Sequence, residues 1–140
     1  MNLSHLCFTA STVCSVTDTP LTLLVCMNQS SRSHVHFIEN KILSVNVLGP
    51  QHEQISNAFA SSKFSSERRF QLGSWTPLKT GSPVLDDALV NFDCEIENIQ
   101  QVETHSIFMC RVVAIQRSEQ DQSLVYFTRT YHSVGQIEFA

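Results

Sequence analysis

The sequence predicts a mainly β fold in which antiparallel strands form a barrel or a sandwich. Apolar and polar residues alternate along residues 90–97, which is typical of a strand with one dry face. At least five strand candidates but only two short helix candidates occur along the chain. A parallel βαβ fold would need a crossover helix after most strands, so that class is disfavoured. Repeats and low-complexity tracts are absent from the sequence, which predicts a single domain over residues 1–140.

Four elements are predicted in the first half of the chain. Residues 21–27 form a continuous apolar run whose length suits a strand buried on both faces. Ser33 can cap a short helix that extends to about Glu39. Residues 42–48 predict a second strand. Residues 51–61 have apolar side chains at the i, i+3 and i+4 spacing of a helix with one buried face.

The second half is predicted to contain one long loop and three strands. Residues 62–83 are polar and are broken by glycine and proline, which indicates a surface loop of the kind that often carries function. After the strand at 90–97, residues 106–116 and 123–130 are strand candidates. The polar residues 117–122 separate them, and this short connection predicts an antiparallel hairpin.

Charge and hydropathy exclude several classes of function. The formal net charge of −4 leaves no surplus of cations for binding nucleic acid or an anionic membrane. The longest apolar runs are far shorter than the roughly 20 residues that span a bilayer. The first ten residues do not resemble a signal peptide. Five cysteines without a CxxC pair predict reduced thiols and a cytoplasmic location.

The common catalytic and metal-binding motifs are missing from the sequence. The four glycines form neither of the Gly-rich phosphate fingerprints, and no GxSxG nucleophile elbow occurs. His34 and His36 lie two residues apart without a Cys, Asp or Glu at a typical zinc spacing. Metal binding and hydrolysis are therefore not predicted.

Two hydroxyl-rich segments adjoin the strand predicted at 21–27. Residues 9–15 precede this strand and residues 28–33 follow it, so hydroxyl and amide donors are expected at both of its ends. This arrangement suits a phosphorylated ligand. Serine and threonine also fill ordinary turns and helix caps, and both interpretations stay open.

Three further positions could face such a ligand. His105 begins a predicted strand, where its imidazole could act as a donor or acid near neutral pH, or could simply lie on the surface. Arg69 and Phe70 in the long loop, and Arg129 and Tyr131 near the end, each pair a cation with a ring. Such pairs either bind a dinucleotide or form ordinary cation–π contacts on the surface.

A series of short segments occurs in a characteristic order along the chain. They are TASTVCSV (9–16), DTP (18–20), LVCMN (24–28), SVNVL (44–48), AFA (58–60), ERRF (67–70), GSPVL (81–85), TH (104–105) and VYFTRTY (125–131). In this order and spacing they resemble the short-chain flavin reductase family, over about residues 7–134. Within that family, the likeness is greatest to the reductase components of two-component 4-hydroxyphenylacetate 3-monooxygenases.

The resemblance implies a homodimer built on an antiparallel Greek-key split β-barrel that binds FMN. It also implies the activity, in which NADH, or less often NADPH, reduces FMN or FAD. The reduced flavin then passes to a separate monooxygenase component that hydroxylates an aromatic substrate. The cofactor supplies the hydride chemistry, so the protein has only to bind, stack and orient the reactants.

The same resemblance implies roles for individual residues. The edge of the isoalloxazine ring would be lined by Thr9, Ala10, Ser11 and Thr12. The ribityl chain and phosphate would be bound by Ser15, Asn28, Ser31 and Ser33. His105 would be the catalytic residue that orients the reduced pyridine ring over the flavin. The nicotinamide side would be lined by Arg69, Phe70 and Tyr131.

The chain departs from the family pattern at its start. The pattern begins earlier, with a helix and a first barrel strand, so the resemblance implies a domain truncated at its N-terminus with an exposed sheet edge. Cys7 and Glu103 stand where the family often has glycine. Two alternatives stay open: a weakly active or non-catalytic flavin-binding and dimerisation remnant of such a reductase, or a barrel that carries an unrelated apolar ligand.

Overall fold

The computed structural model describes residues 7–10, 12–61 and 63–135, which form two antiparallel sheets and three helices. In chain order the elements are β1 (Val13–Asp18), β2 (Leu21–Asn28), α1 (His34–Asn40), β3 (Ile42–Val47), a 3₁₀ turn (Pro50–His52), α2 (Glu53–Ala60), α3 (Ser66–Phe70), β4 (Val90–Val102), β5 (His105–Arg117), β6 (Gln122–Phe127) and β7 (Thr130–Gly135).

The larger sheet has the strand order β1-β2-β5-β4-β3, and every pairing in it is antiparallel. Strands β3, β4 and β5 follow one another as neighbours, and β2 lies beside β5, which is a Greek-key arrangement. Among the described residues, β1 and β3 are the two unpaired edges of this sheet, so it is not closed into a barrel there. This open Greek-key sheet is consistent with the predicted split barrel, and the predicted fold class is confirmed.

The main core lies on one face of the larger sheet. In β2 the alternate residues Leu23, Val25 and Met27 are buried, and they pack with Phe108 of β5 and Phe37 of α1. Fully burying a side chain of this size contributes about 1.5–3 kcal/mol. The other residues of β2 are half-buried, except Asn28 at its end, which is exposed. A second cluster forms where the apolar face of α2 meets the loop before β4, and it contains Ile55, Phe59, Leu85 and Ala88.

The predicted hairpin of residues 106–116 with 123–130 is wrong. Strand β5 forms its hairpin with the preceding strand β4, through a turn at residues 103–104. Strand β6 pairs instead with β7. The turn between β6 and β7 consists of Thr128 and Arg129, whose φ angles are 51° and 62°. These residues were predicted to continue a strand, because the left-handed conformation at such a turn usually requires glycine or asparagine.

Three elements were not predicted, namely β1, α3 and β7. All six residues of β1 are exposed, so its sequence shows no buried face to identify it as a strand. It is an edge strand that folds back along β2, within a region interpreted as a hydroxyl-rich turn. Helix α3 lies inside the predicted long loop, where the Ser65 hydroxyl accepts the Arg68 N–H at 3.3 Å and caps it.

The polar side of β4 is buried near the beginning of the strand, where an exposed face was predicted. Asp93 is 0 % exposed and accepts hydrogen bonds from the main-chain N–H groups of Lys79 and Thr80, both at 2.8 Å. The Thr80 and Ser44 hydroxyls donate to the same carboxylate at 2.6 and 3.1 Å. The loop before β4 is therefore fastened to the sheet and covers the face that alternation alone had assigned to solvent.

The five cysteines are free thiols that differ in burial. Burial raises the pKa of the Cys7, Cys94 and Cys110 thiols to about 12. A thiol reacts with a disulfide reagent as the thiolate, so these three are expected to be unreactive in the folded protein at about pH 8. We expect at most two thiols to react before denaturation, Cys14 quickly and the half-buried Cys26 more slowly, and the remaining three to react once urea is added.

A thiol titration with a chromogenic disulfide measures this directly. The C14S variant is the control. It should lose the fast phase, while the slow reaction of Cys26 and the three thiols that react only in urea are unchanged. Reaction of three or more thiols in the native protein would contradict the described burial.

Candidate functional site

The turn between β2 and α1 carries a group of unpaired donors. Asn28 Oδ1 accepts the Ser30 N–H at 2.9 Å, and the Asn28 main-chain oxygen accepts the Ser31 N–H at 3.1 Å, which fixes the turn. The main-chain N–H groups of Arg32 and Ser33, and the hydroxyls of Ser31 and Ser33, have no hydrogen-bond partner among the described residues. Together with the exposed Arg32 side chain, these donors can bind an anionic group such as a phosphate.

His105 lies against this turn. It pairs with Asn28 in the register of β2 and β5. Gln29 joins the two regions, because its main-chain N–H donates to Thr104 O at 2.9 Å and its side-chain Nε2 donates to His105 O at 2.8 Å. The imidazole of His105 is exposed, and its Nδ1 lies 2.8 Å from Thr104 Oγ1. The structure thus brings the turn and His105 to one end of the larger sheet.

The first hydroxyl-rich segment reaches the same end of the sheet. The Thr12 main-chain oxygen accepts the Cys26 N–H at 3.3 Å, and Val13 then pairs with Val25 as β1 runs back along β2. The expectation that the two hydroxyl-rich segments lie at opposite ends of the strand at 21–27 is therefore wrong, because the β1–β2 hairpin places residue 12 beside the end of β2. Ser11 lies outside the described residues.

Ser15 is placed apart from the turn. It pairs with Leu23 in the middle of the β1–β2 hairpin, beside an irregularity of the register between Ser15 and Thr17. Its side chain is exposed on the edge strand. Its suggested contact with the ribityl chain or phosphate stays a prediction.

Arg69 and Phe70 make their contacts with the second core cluster. The Arg69 guanidinium donates to Ser61 O and lies 6.0 Å from the centre of the Phe59 ring. Phe70 packs edge-on against Phe59 and Trp75, with ring centres 5.1 and 4.8 Å apart. The Arg69 Nε is buried without a hydrogen-bond partner within the described parts of the chain. These observations connect both residues to α2 rather than to the turn beside His105.

Tyr131 and Thr9 are connected through α2. The Tyr131 hydroxyl donates to Asn57 Oδ1 at 3.0 Å and lies 2.9 Å from the Ser56 hydroxyl. The Thr9 hydroxyl donates to the Ser56 main-chain oxygen at 2.7 Å. The structure therefore joins a residue expected at the flavin edge to one expected on the nicotinamide side, with Ser56 between them.

Sequence reasoning missed the residues that hold the site together. Ser56 and Asn57 meet Tyr131 across more than 70 positions of the chain, and Gln29 meets His105 across 76. His34 was considered only as a metal ligand, but its Nε2 lies 2.8 Å from the hydroxyl of the buried Ser106. These contacts depend on strand pairing, and no local pattern in the sequence indicates them.

An open cleft lies between the segment before β1 and the outer edge of β3. Ala10 is in its wall, and the rest of the lining is mostly apolar, including Phe8, Val13, Val25, Phe37, Leu43 and Val45. Such a wall can accept a flat aromatic ring system.

In the described parts of the chain, no group of three or more potential metal ligands occurs, and no helix has the length and apolarity to cross a membrane.

The solved structures that this chain resembles include proteins described as flavin reductases. A candidate flavin reductase from Haemophilus somnus 129PT superposes with a TM-score of 0.88 at 54 % identity, over 91 % of this chain and 81 % of that one. BorF, the flavin reductase component of a bacterial two-component tryptophan halogenase, has the same fold, with a TM-score of 0.85 at 24 % identity over 93 % and 82 % of the two chains.

Sequence comparison identifies the family. The model of the flavin reductase like domain matches residues 4–135, and the chain belongs to this family. It is 52 % identical over 125 residues to the FMN reductase (NADH) RutF of Pantoea ananatis strain LMG 20103, which covers 89 % of this chain and 65 % of that relative's length. The predicted family is confirmed, and the finer likeness to 4-hydroxyphenylacetate monooxygenase reductases stays a prediction.

Proposed function

We propose that this chain is an NAD(P)H-dependent flavin reductase that binds FMN or FAD, reduces it and releases it. The observation that carries the proposal is the set of unpaired donors in the turn at residues 28–33, held beside His105 by Gln29. An anion-binding turn and an exposed imidazole at one sheet end are what a site for two phosphorylated reactants requires. Membership of the flavin reductase like family supports the same activity.

The residues present fit a flavin mononucleotide. Unpaired amide and hydroxyl donors at Ser31, Arg32 and Ser33 match the oxygens of a phosphate, which accept several hydrogen bonds. The apolar wall beside Ala10 matches the ring system. Thr9, Ala10 and Thr12 would line the edge of the ring, as the resemblance implies.

When bound, the flavin supplies the chemistry by accepting a hydride from the reduced nicotinamide. The protein's own contribution is to hold the two ring systems about 3–3.5 Å apart in the correct orientation. His105 would orient the pyridine ring from the exposed end of β5. Tyr131 would act from the nicotinamide side through its ring, because its hydroxyl is already bound to α2.

We further propose that the reduced flavin passes to a separate monooxygenase component and that the chain acts as a homodimer. Strand β1 has an exposed edge with Val13 and Val16 on it, which suits pairing with a second copy. Five free thiols favour a reducing compartment, so we place the activity in the cytoplasm.

The phosphate assignment is tested with two ligands that differ only in the phosphate. Removing both hydroxyls in an S31A/S33A variant is expected to raise the Kd for FMN at least tenfold, because each charge-assisted hydrogen bond is worth about 1.5–3 kcal/mol. The Kd for riboflavin, which lacks the phosphate, should be unchanged. The S30A variant of the same turn is the control and should bind FMN normally. Equal losses for FMN and riboflavin would contradict the assignment.

The activity itself is tested by adding NADH and FMN to the purified protein and following the NADH absorbance. Steady oxidation that depends on flavin supports the reductase. Flavin binding without turnover would support the alternative, a remnant that binds flavin and dimerises, which the fully exposed β1 favours. Repeating the assay with FAD and with NADPH defines the preferred pair.

A further inference from the structure

We propose that Ser56 of α2 is a positioning residue that supports two separate parts of the proposed site. Its main-chain oxygen anchors residues 7–10, which form part of the cleft wall, and its hydroxyl anchors the β6–β7 hairpin, which carries Tyr131. This inference rests on the function proposed above, because it assigns the support of the flavin wall and of the residue expected on the nicotinamide side.

The main-chain oxygen of Ser56 fixes the segment before β1. The Thr9 hydroxyl donates to this oxygen at 2.7 Å, and since a hydroxyl has one proton, it cannot donate to a ligand at the same time. The two residues before it, Cys7 and Phe8, pack against the second and the main core clusters respectively. Ala10 follows directly and lies in the wall of the cleft. The position of this wall therefore depends on the bond to α2.

The hydroxyl of Ser56 fixes the hairpin. It lies 2.9 Å from the Tyr131 hydroxyl, which also donates to Asn57 Oδ1 at 3.0 Å. Whichever of the two hydroxyls donates, the bond joins β7 to α2. Nearer the base of the hairpin, the Leu124 N–H donates to Leu48 O at 2.8 Å. A two-stranded hairpin is only marginally stable by itself, so its position depends on attachments of this kind.

Ser56 can support both parts because α2 is itself fixed. The residue is 5 % exposed, and its neighbours Ile55 and Phe59 pack with Leu85 in the second core cluster. The two anchoring groups are chemically independent, since one belongs to the main chain and the other to the side chain. The S56A substitution removes the hydroxyl, keeps the main-chain oxygen and retains a good helix former, so it separates the two supports.

The support of the hairpin is tested in the ligand-free protein by the rate of trypsin cleavage after Arg129, which lies in the turn between β6 and β7. Cleavage at a tight turn requires local opening. S56A and Y131F are each expected to raise this rate about three- to tenfold, the effect of losing one hydrogen bond. T9V should leave it unchanged, because it loses a bond on the other side of α2.

The support of the cleft wall is tested by the rate at which a disulfide reagent labels Cys7, identified by mass spectrometry of its peptide. T9V, which keeps the shape of threonine but loses the hydroxyl, is expected to raise this rate about three- to tenfold, and T9S should restore it. The matched control is T22V, which loses a threonine hydroxyl that donates to Pro20 O at 3.0 Å. T22V and S56A should both label at the wild-type rate.

Ligand measurements then connect each support to one reactant. S56A is expected to raise the KM for NADH about three- to tenfold with a Kd for FMN within twofold of the wild type, and T9V should instead raise the Kd for FMN. In a Y131F background S56A should have no further effect, because the bond is already lost.

Two results would overturn the proposal. One is cleavage after Arg129 at the wild-type rate in both S56A and Y131F. The other is an S56A protein whose KM for NADH is unchanged, or whose KM and Kd for FMN rise equally. A wild-type protein that neither binds FMN nor oxidises NADH overturns the proposed function instead. The cleavage and labelling rates are measured without ligand, so they separate the two failures.

Discussion

Replacing Asp93 with alanine is expected to lower the free energy of unfolding by about 3–5 kcal/mol. The buried carboxylate accepts from two main-chain N–H groups and two hydroxyls. The hydroxyls of Ser44 and Thr80 can rotate toward other partners. The N–H groups of Lys79 and Thr80 cannot rotate, and both point at this buried carboxylate. A donor left without an acceptor at a buried site costs about 1–3 kcal/mol.

Urea unfolding followed by circular dichroism measures this loss. The control is D86A, which removes an exposed carboxylate from the same loop and should change the free energy by less than about 0.5 kcal/mol. The free energy of unfolding of D93N should lie between those of D93A and the wild type. The asparagine amide keeps one acceptor oxygen, but its NH₂ group faces a group that is itself a hydrogen-bond donor. A D93A protein within about 1 kcal/mol of the wild type would show that the loop is not held by this carboxylate.

Replacing His105 with alanine is expected to slow the reduction of flavin by NADH about 100-fold, while the Kd for FMN changes less than threefold. The reason is that, in the proposed site, the imidazole would orient the pyridine ring, whereas the flavin would be bound mainly by the turn at residues 28–33. Loss of orientation affects the rate of hydride transfer more than it affects occupancy of the flavin site.

Anaerobic stopped-flow reduction measures the rate constant, and fluorescence titration measures the Kd for FMN. The matched control is H132A, which removes another exposed histidine, one that lies 3.2 Å from the Phe127 carbonyl oxygen. Its rate constant should equal that of the wild type. An unchanged rate constant in H105A would show that His105 does not orient the nicotinamide.

The strands could be predicted where one face is buried, but their partners could not. Alternation along residues 90–97 identified β4, and the apolar run at 21–27 identified β2. The pairing of β6 with β7 depends on a turn made by Thr128 and Arg129 in the left-handed conformation, which neither residue type indicates. Strand β1 was missed because both of its faces are exposed, so its sequence has no pattern of buried apolar residues that would identify a strand.

The polar residues of the candidate site could be predicted in part. The resemblance drew attention to Asn28, Ser31, Ser33 and His105, and the structure brings these to one end of the sheet. Gln29 is an ordinary polar residue in the sequence, and its importance depends on the pairing of β2 with β5. Asp93 was expected on an exposed face, because the pattern within a strand does not show that a loop will cover it.

Gln29 has a consequence for which small molecules can enter this site. Gln29 directly follows Asn28 and bonds the carbonyl oxygens of Thr104 and His105, where β5 begins. The separation between the proposed anion-binding turn and the main chain of His105 is therefore set before any ligand binds. Binding then requires little additional ordering of loops, so little binding free energy is lost to conformational entropy. The site should therefore discriminate by molecular length, and compounds too short to reach both groups should bind weakly even when each half is chemically suitable.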